Sequence, residues 1–264
     1  MPNPLAPAHP PRRALLLLGA AALAGVAGCS DDAAPAPAGS PSPASSSSAS
    51  STTAAPPAAP VPTTPAPPAL PPGLTQADVD AGVLSAEVPT TGGGDLVVVP
   101  GSAPAPPSAR VRTLRVEVER DLLEGGLVDG QAFAAFALAT LNDPRGWGAG
   151  GTTSFARTDG DAELRLVLAT PDTSAALCRP LRTMGTLSCR TGDKAVLTTY
   201  RWVNAIPDYG SDRTGYRQYV VSHEVGHLLG HGHEPNPGVG RRAPVMMQQT
   251  KGLDGALPNP WPNP

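Results

Sequence analysis

Histidine is scarce in this chain, with five residues in 264, and aromatic residues are held to 4%. Charged residues make up only 16%, and cysteine occurs three times, at Cys29, Cys178 and Cys189. Each shortage excludes something. A formal net charge of -3 leaves no basic surplus, so no nucleic-acid partner is expected. No EF-hand spacing surrounds Asp208 or Asp212, which read as turn and capping residues instead of calcium ligands. The apolar run Ala14 to Val26 is too short to span a bilayer comfortably. No internal repeat is present.

What is present is strongly segmented. Arg12 and Arg13 followed by that apolar run read as an export signal over residues 1–28. Val26-Ala27-Gly28-Cys29 resembles a bacterial lipobox, in which Cys29 is lipidated and anchors the chain to the outer face of the cytoplasmic membrane. Ordinary cleavage nearby, with secretion, is the alternative. Arg12-Arg13 also loosely resembles a twin-arginine signal, so the export route stays open. Residues 29–74 are almost entirely Ala, Pro, Ser and Thr. Such a segment buries too little apolar surface to offset its ordering entropy, and a stiffened tether is expected there. With Cys29 assigned to lipid, Cys178 and Cys189 form an even pair in an exported chain. A disulfide is expected between them, worth about 3 kcal/mol by loop entropy.

Residues 75–264 read as one globular domain. Gly82 to Val88 and Asp95 to Val99 look like a hairpin around Thr90-Thr91-Gly92-Gly93-Gly94. Val111 to Glu119 alternates apolar and polar residues, predicting a strand with one buried and one wet face. Asp129 caps a helix over 130–141, with Phe133, Phe136, Ala137 and Leu141 on its apolar face. Strands are expected near Thr153–Arg157, Glu163–Ala169 and Ala195–Tyr200. Trp147 reads as a packing anchor.

A last helix starts at Asp212 or Thr214 and runs to about Leu229. It carries four of the five histidines within His223-Glu224-Val225-Gly226-His227-Leu228-Leu229-Gly230-His231-Gly232-His233. Residues four apart on a helix share a face, so His223 and His227 can reach one ion. Glu224 sits beside that ion without binding it, placed to accept a proton from water. Val221, Val225, Leu228 and Leu229 form an apolar stripe on the other side, for packing on a sheet. Gly230 can end the helix in a left-handed conformation and turn His233 back as a third ligand. A helix continuing through Gly230 would offer His231 instead. Three ligands with one open position is the catalytic zinc arrangement, and Zn2+ is the expected cofactor.

The run H-E-x-x-H-x-x-G-x-x-H, with Pro244-Val245-Met246-Met247-Gln248 downstream, resembles the metzincin zinc metallopeptidases. The resemblance implies an α+β fold: a twisted mixed sheet, an active-site helix packed on it, and a Met-turn beneath the zinc. It implies His223, His227 and His233 as zinc ligands and Glu224 as general base. Met246 is the Met-turn methionine, with Met247 as the alternative. Gln248 departs from the pattern, because some members carry a tyrosine there. Gly230-His231-Gly232-His233 followed by Ala243-Pro244-Val245-Met246-Met247-Gln248-Gln249-Thr250, with a terminal Asn-Pro-Trp-Pro, also resembles a bacterial exported family of undetermined function. Implied is a monomeric zinc metallopeptidase acting on peptides or proteins, including cell-wall peptides, and tied to the membrane by its N-terminal lipid. A zinc-stabilised binding lipoprotein and a cell-wall peptide amidase are the alternatives.

Overall fold

The computed structural model describes residues 69–264, so the export signal, Cys29 and most of the tether lie outside the described residues. Among the described residues no helix is long and apolar enough to cross a membrane. The architecture is α+β: a six-stranded mixed sheet with helices on both faces.

The chain enters through a short helix α1 (Gln76–Asp80), whose capping box joins Thr75 and Asp78. Strand β1 (Leu96–Val98) then pairs antiparallel with the long β2 (Arg110–Glu119). Helices α2 (Arg120–Glu124) and α3 (Gly130–Leu141) follow, and Asp129 caps α3 through the amides of Gln131 and Ala132. Strand β3 (Thr153–Arg157) runs parallel to the start of β2, and β4 (Leu164–Ala169) runs parallel along its other edge. Helix α4 (Pro171–Leu177), strands β5 (Cys189–Thr191) and β6 (Lys194–Thr198), and helix α5 (Thr199–Asn204) come next. The last helix is α6 (Arg213–Leu228). The sheet order is β1-β2-β4-β6-β5, with β5 antiparallel at the edge and β3 beside β2.

Alternation along the strands sorts the side chains. Leu166 and Leu168 enter the main core with Phe133, Phe155 and Val225, while Val167 and Ala169 join Cys178, Cys189 and Val196 in a smaller cluster. Helix α6 packs on β6 and β5 and against α3. Its Val221 and Val225 are fully buried, as the apolar stripe requires.

Three local expectations are corrected. Residues 82–88 form no strand beyond a single bridge from Val83 to Val128, and β1 pairs with β2 instead. Beside that pairing the Glu119 carboxylate accepts the Gly94 amide at 2.9 Å, holding the glycine run alongside the end of β2. The polar face of β2 is not wet at its end, because Glu117 and Glu119 are 2% and 0% exposed. Glu117 is satisfied by Arg115 and Arg165, and Glu119 by the Thr170 amide and the Thr173 hydroxyl. The strand expected through Tyr200 stops at Thr198. There α5 begins and buries Trp202, which donates to the Ala81 carbonyl at 3.1 Å and meets Phe133 edge-on at 4.9 Å.

Candidate metal centre

Helix α6 is built to present ligands. Asp212 caps it by accepting the Gly215 amide at 2.8 Å. At the other end Gly230 adopts φ 97°, its amide donates to the His227 carbonyl, and the His231 amide donates to Gly226 at 3.0 Å. This crossed pair is a Schellman stop, and a side chain at Gly230 would strain it. The chain therefore reverses after Leu229. Where the alternatives were His231 and His233, the reversal brings His233 to the cluster.

The three imidazoles meet with ring centroids 4.6–5.4 Å apart. Each offers a ring nitrogen, all within 4.8 Å of one another, so His223, His227 and His233 could hold a metal ion. The donor chemistry fits one. The His223 Nδ1–H donates to the Val245 carbonyl at 2.8 Å, and the His227 Nδ1–H donates to the His231 carbonyl at 2.8 Å. A carbonyl only accepts, so both rings turn a bare Nε2 lone pair inward. His227 Nε2 and His233 Nε2 are 3.1 Å apart. Two nitrogens on one tetrahedral zinc are separated by about 3.3 Å, given bonds of about 2.0–2.1 Å. Burial pushes His223 down to about 3, and burial with the charges of His227 and Lys251 lowers His233. Neutral rings are the form that binds metal.

Glu224 lies in the same cleft, 6% exposed, and its Oε2 has no hydrogen-bond partner. Burial alone pushes its carboxyl up to about 8. An unpartnered buried carboxyl oxygen is costly, and it contrasts with Glu117 and Glu119, whose carboxylates are satisfied.

The segment 244–248 packs against α6. Met246 is 1% exposed, the Met247 carbonyl accepts the Tyr219 hydroxyl at 3.0 Å, and the Glu234 amide donates to the Met246 carbonyl at 3.1 Å. A Cβ added at Gly226 would lie 2.6 Å from both Met246 Sδ and Trp147 Cζ2. Gly226→Ala, which gains about 1 kcal/mol in an open helix, is therefore expected to destabilise this protein by about 1–3 kcal/mol. Urea unfolding reads the difference, and a stabilised variant would contradict the packing described. Trp147 is the packing anchor expected, with its Nε1–H on the Ser222 carbonyl at 2.9 Å. Its stacking on the His231 ring, 4.2 Å between centroids, was not foreseen. That contact steadies the backbone carbonyl on which His227 rests.

The cleft has a volume of about 400 Å³. One wall is the loop closed by the Cys178–Cys189 disulfide, whose Cα atoms are 6.0 Å apart. It brings Leu181, Arg182 and Leu187 to the site, with Arg190 following on β5; Gln248, Thr250 and Lys251 enter from the segment after Met247. No sequence signal marks these wall residues, which are scattered along the chain and meet only through the fold.

No curated protein and no solved structure matches this chain. A match over residues 84–258, most of the chain and the whole of the site, shows that it belongs to the family described as DUF3152, protein of unknown function.

Proposed function

We propose that the chain is an exported, lipid-anchored zinc metallopeptidase of metzincin type. The observation that carries this reading is the convergence of three imidazoles beside a buried, unpartnered glutamate in one open cleft. His223, His227 and His233 would hold the zinc, and Met246 would be the methionine of the Met-turn. Zinc so held supplies a Lewis acid that polarises a peptide carbonyl and acidifies a water. Glu224 takes the proton of the attacking water at Oε2 and returns it to the leaving amine. The cleft walls orient the peptide. Export rests on Arg12, Arg13 and the apolar run, and the anchor on Cys29.

Gln248 favours a second reading, a zinc-stabilised binding protein without turnover, because it stands where some metzincins place a tyrosine. The Gln248 Oε1 accepts Lys251 Nζ at 3.1 Å, and this side chain carries no phenol hydroxyl. Digestion of a peptide library separates the two readings. Zinc-loaded wild-type protein is expected to cleave peptides, and Glu224→Gln to retain its zinc with turnover reduced by about 1000-fold or more. Chelator-sensitive cleavage that persists in Glu224→Gln would overturn the assignment. Intact peptides with the wild type would leave the binding reading.

A further inference from the structure

Seven of the fifteen described arginines pair with carboxylates. Arg112 pairs with Glu163, Arg165 with Glu117, Arg145 with Asp143, and both Arg213 and Arg217 with Asp78. The cations of the cleft are not among them. Arg182, Arg190 and Lys251 line it, all three are exposed, and none makes an ion pair with any described residue. Among the described residues the only carboxylate lining the cleft is the buried Glu224.

The placement is not an overflow of positive charge, because the chain as a whole is acidic at -3. Nor do the three cations come from one basic run. Arg182 sits inside the disulfide-closed loop, Arg190 on the edge strand β5, and Lys251 just beyond the 244–248 segment. A concave site lined by one sign of charge focuses its field and concentrates ligands of the opposite sign. A divalent ion on the histidines would add to that field.

We propose that this cleft selects acidic peptides, with Arg182, Arg190 and Lys251 as the residues that receive carboxylates flanking the bond at the histidine cluster. Leu181 and Leu187 supply apolar contact between the charged points. The selectivity deepens the peptidase reading and rests on it for the reaction, but it is measured by binding. The field should also weaken with salt, since exposed charges are screened within about 8–10 Å at ordinary ionic strength.

The test uses the whole chain carrying Glu224→Gln, zinc-loaded and metal-free, so that the peptides survive. Fluorescein-labelled peptides of one sequence, with Glu, Gln or Lys at the same positions, are titrated by anisotropy. The Glu peptide is expected to bind at least about tenfold tighter than the Gln peptide at low salt, with the Lys peptide weakest. Raising salt to 0.5 M narrows the gap. Adding R182Q, R190Q and K251Q together closes it to within about twofold; these exposed, unpaired side chains leave folding intact. Equal binding of the three peptides, or a gap that survives the triple substitution, overturns the selectivity. Hydrolysis is scored separately with wild-type protein. A chain that prefers acidic peptides and cleaves none sinks the peptidase reading and keeps this one; a chain that cleaves peptides without regard to charge does the reverse.

Discussion

His233→Ala loses at least about 100-fold in zinc affinity, measured by competition with a chromogenic chelator, whereas His231→Ala loses less than about tenfold. The first magnitude is a floor, because partners that merely orient a ligand are worth about 10–100-fold and His233 is placed as a ligand itself. The contrast between neighbours follows from the helix stop. Gly230 at φ 97° reverses the chain, so the ring of His233 joins those of His223 and His227. The ring of His231 turns away to stack on Trp147, and only its backbone carbonyl serves the site, by accepting the His227 Nδ1–H. An alanine at 231 keeps that carbonyl. The reverse order of losses would mean that α6 continues through Gly230 when metal binds.

The second large effect is on stability. Asp78→Ala is expected to destabilise the fold by about 3–5 kcal/mol, although residue 78 lies far from the histidines in sequence. Asp78 is 1% exposed and accepts Arg213 Nε at 2.8 Å, and Arg217 Nη2 lies 2.8 Å from its Oδ1. Arg217 is itself 0% exposed and also donates to the Trp202 carbonyl at 2.7 Å. Removing Asp78 leaves a guanidinium buried in the middle of α6 without a counter-charge. Burial pushes the Asp78 carboxyl up, but the bonds from Arg213, Thr75 and Arg217 outweigh it and hold the group well below the carboxylate range. The sign follows from the lowered value. The folded state binds this proton less readily than the unfolded chain, so the contribution is complete above pH about 4 and is lost as the pH falls toward the folded value. Urea midpoints measured between pH 6 and pH 3 should fall for the wild type. They should fall less for Asp78→Asn, which lacks the charge at every pH. Equal slopes would show that the triad carries no such linkage.

The histidine site was legible because its geometry is local. Ligand spacing, helix stop and return all lie within His223–His233, where a 3.6-residue period and a glycine at the C-terminal end decide the positions. The even cysteine pair and the helix capped by Asp129 were legible for the same reason. The hairpin expected at 82–99 is replaced by pairing of β1 with the distant strand β2, whose Glu119 also holds Gly94. The polar face of β2 was misread as wet because nothing in Val111 to Glu119 announces Arg165 or Thr173, which come from later elements. Alternation reports which side chains share a face, not what later covers it. The cleft walls are the extreme case, since Arg182, Arg190 and Lys251 become neighbours of the histidines only when the disulfide loop, β5 and the segment after Met247 are assembled. The lining of the cleft was written in the packing, and the three histidines that could hold a metal in eleven consecutive residues.

X-ray absorption at the zinc edge tests the central claim most directly, that these three imidazoles hold one catalytic-type zinc. The wild-type protein loaded with one equivalent is expected to show three imidazole nitrogens at about 2.0–2.1 Å with one further light ligand, and Gly230→Val to lose one imidazole. A site with two imidazoles, a fourth imidazole from His231, or no stoichiometric zinc would contradict it.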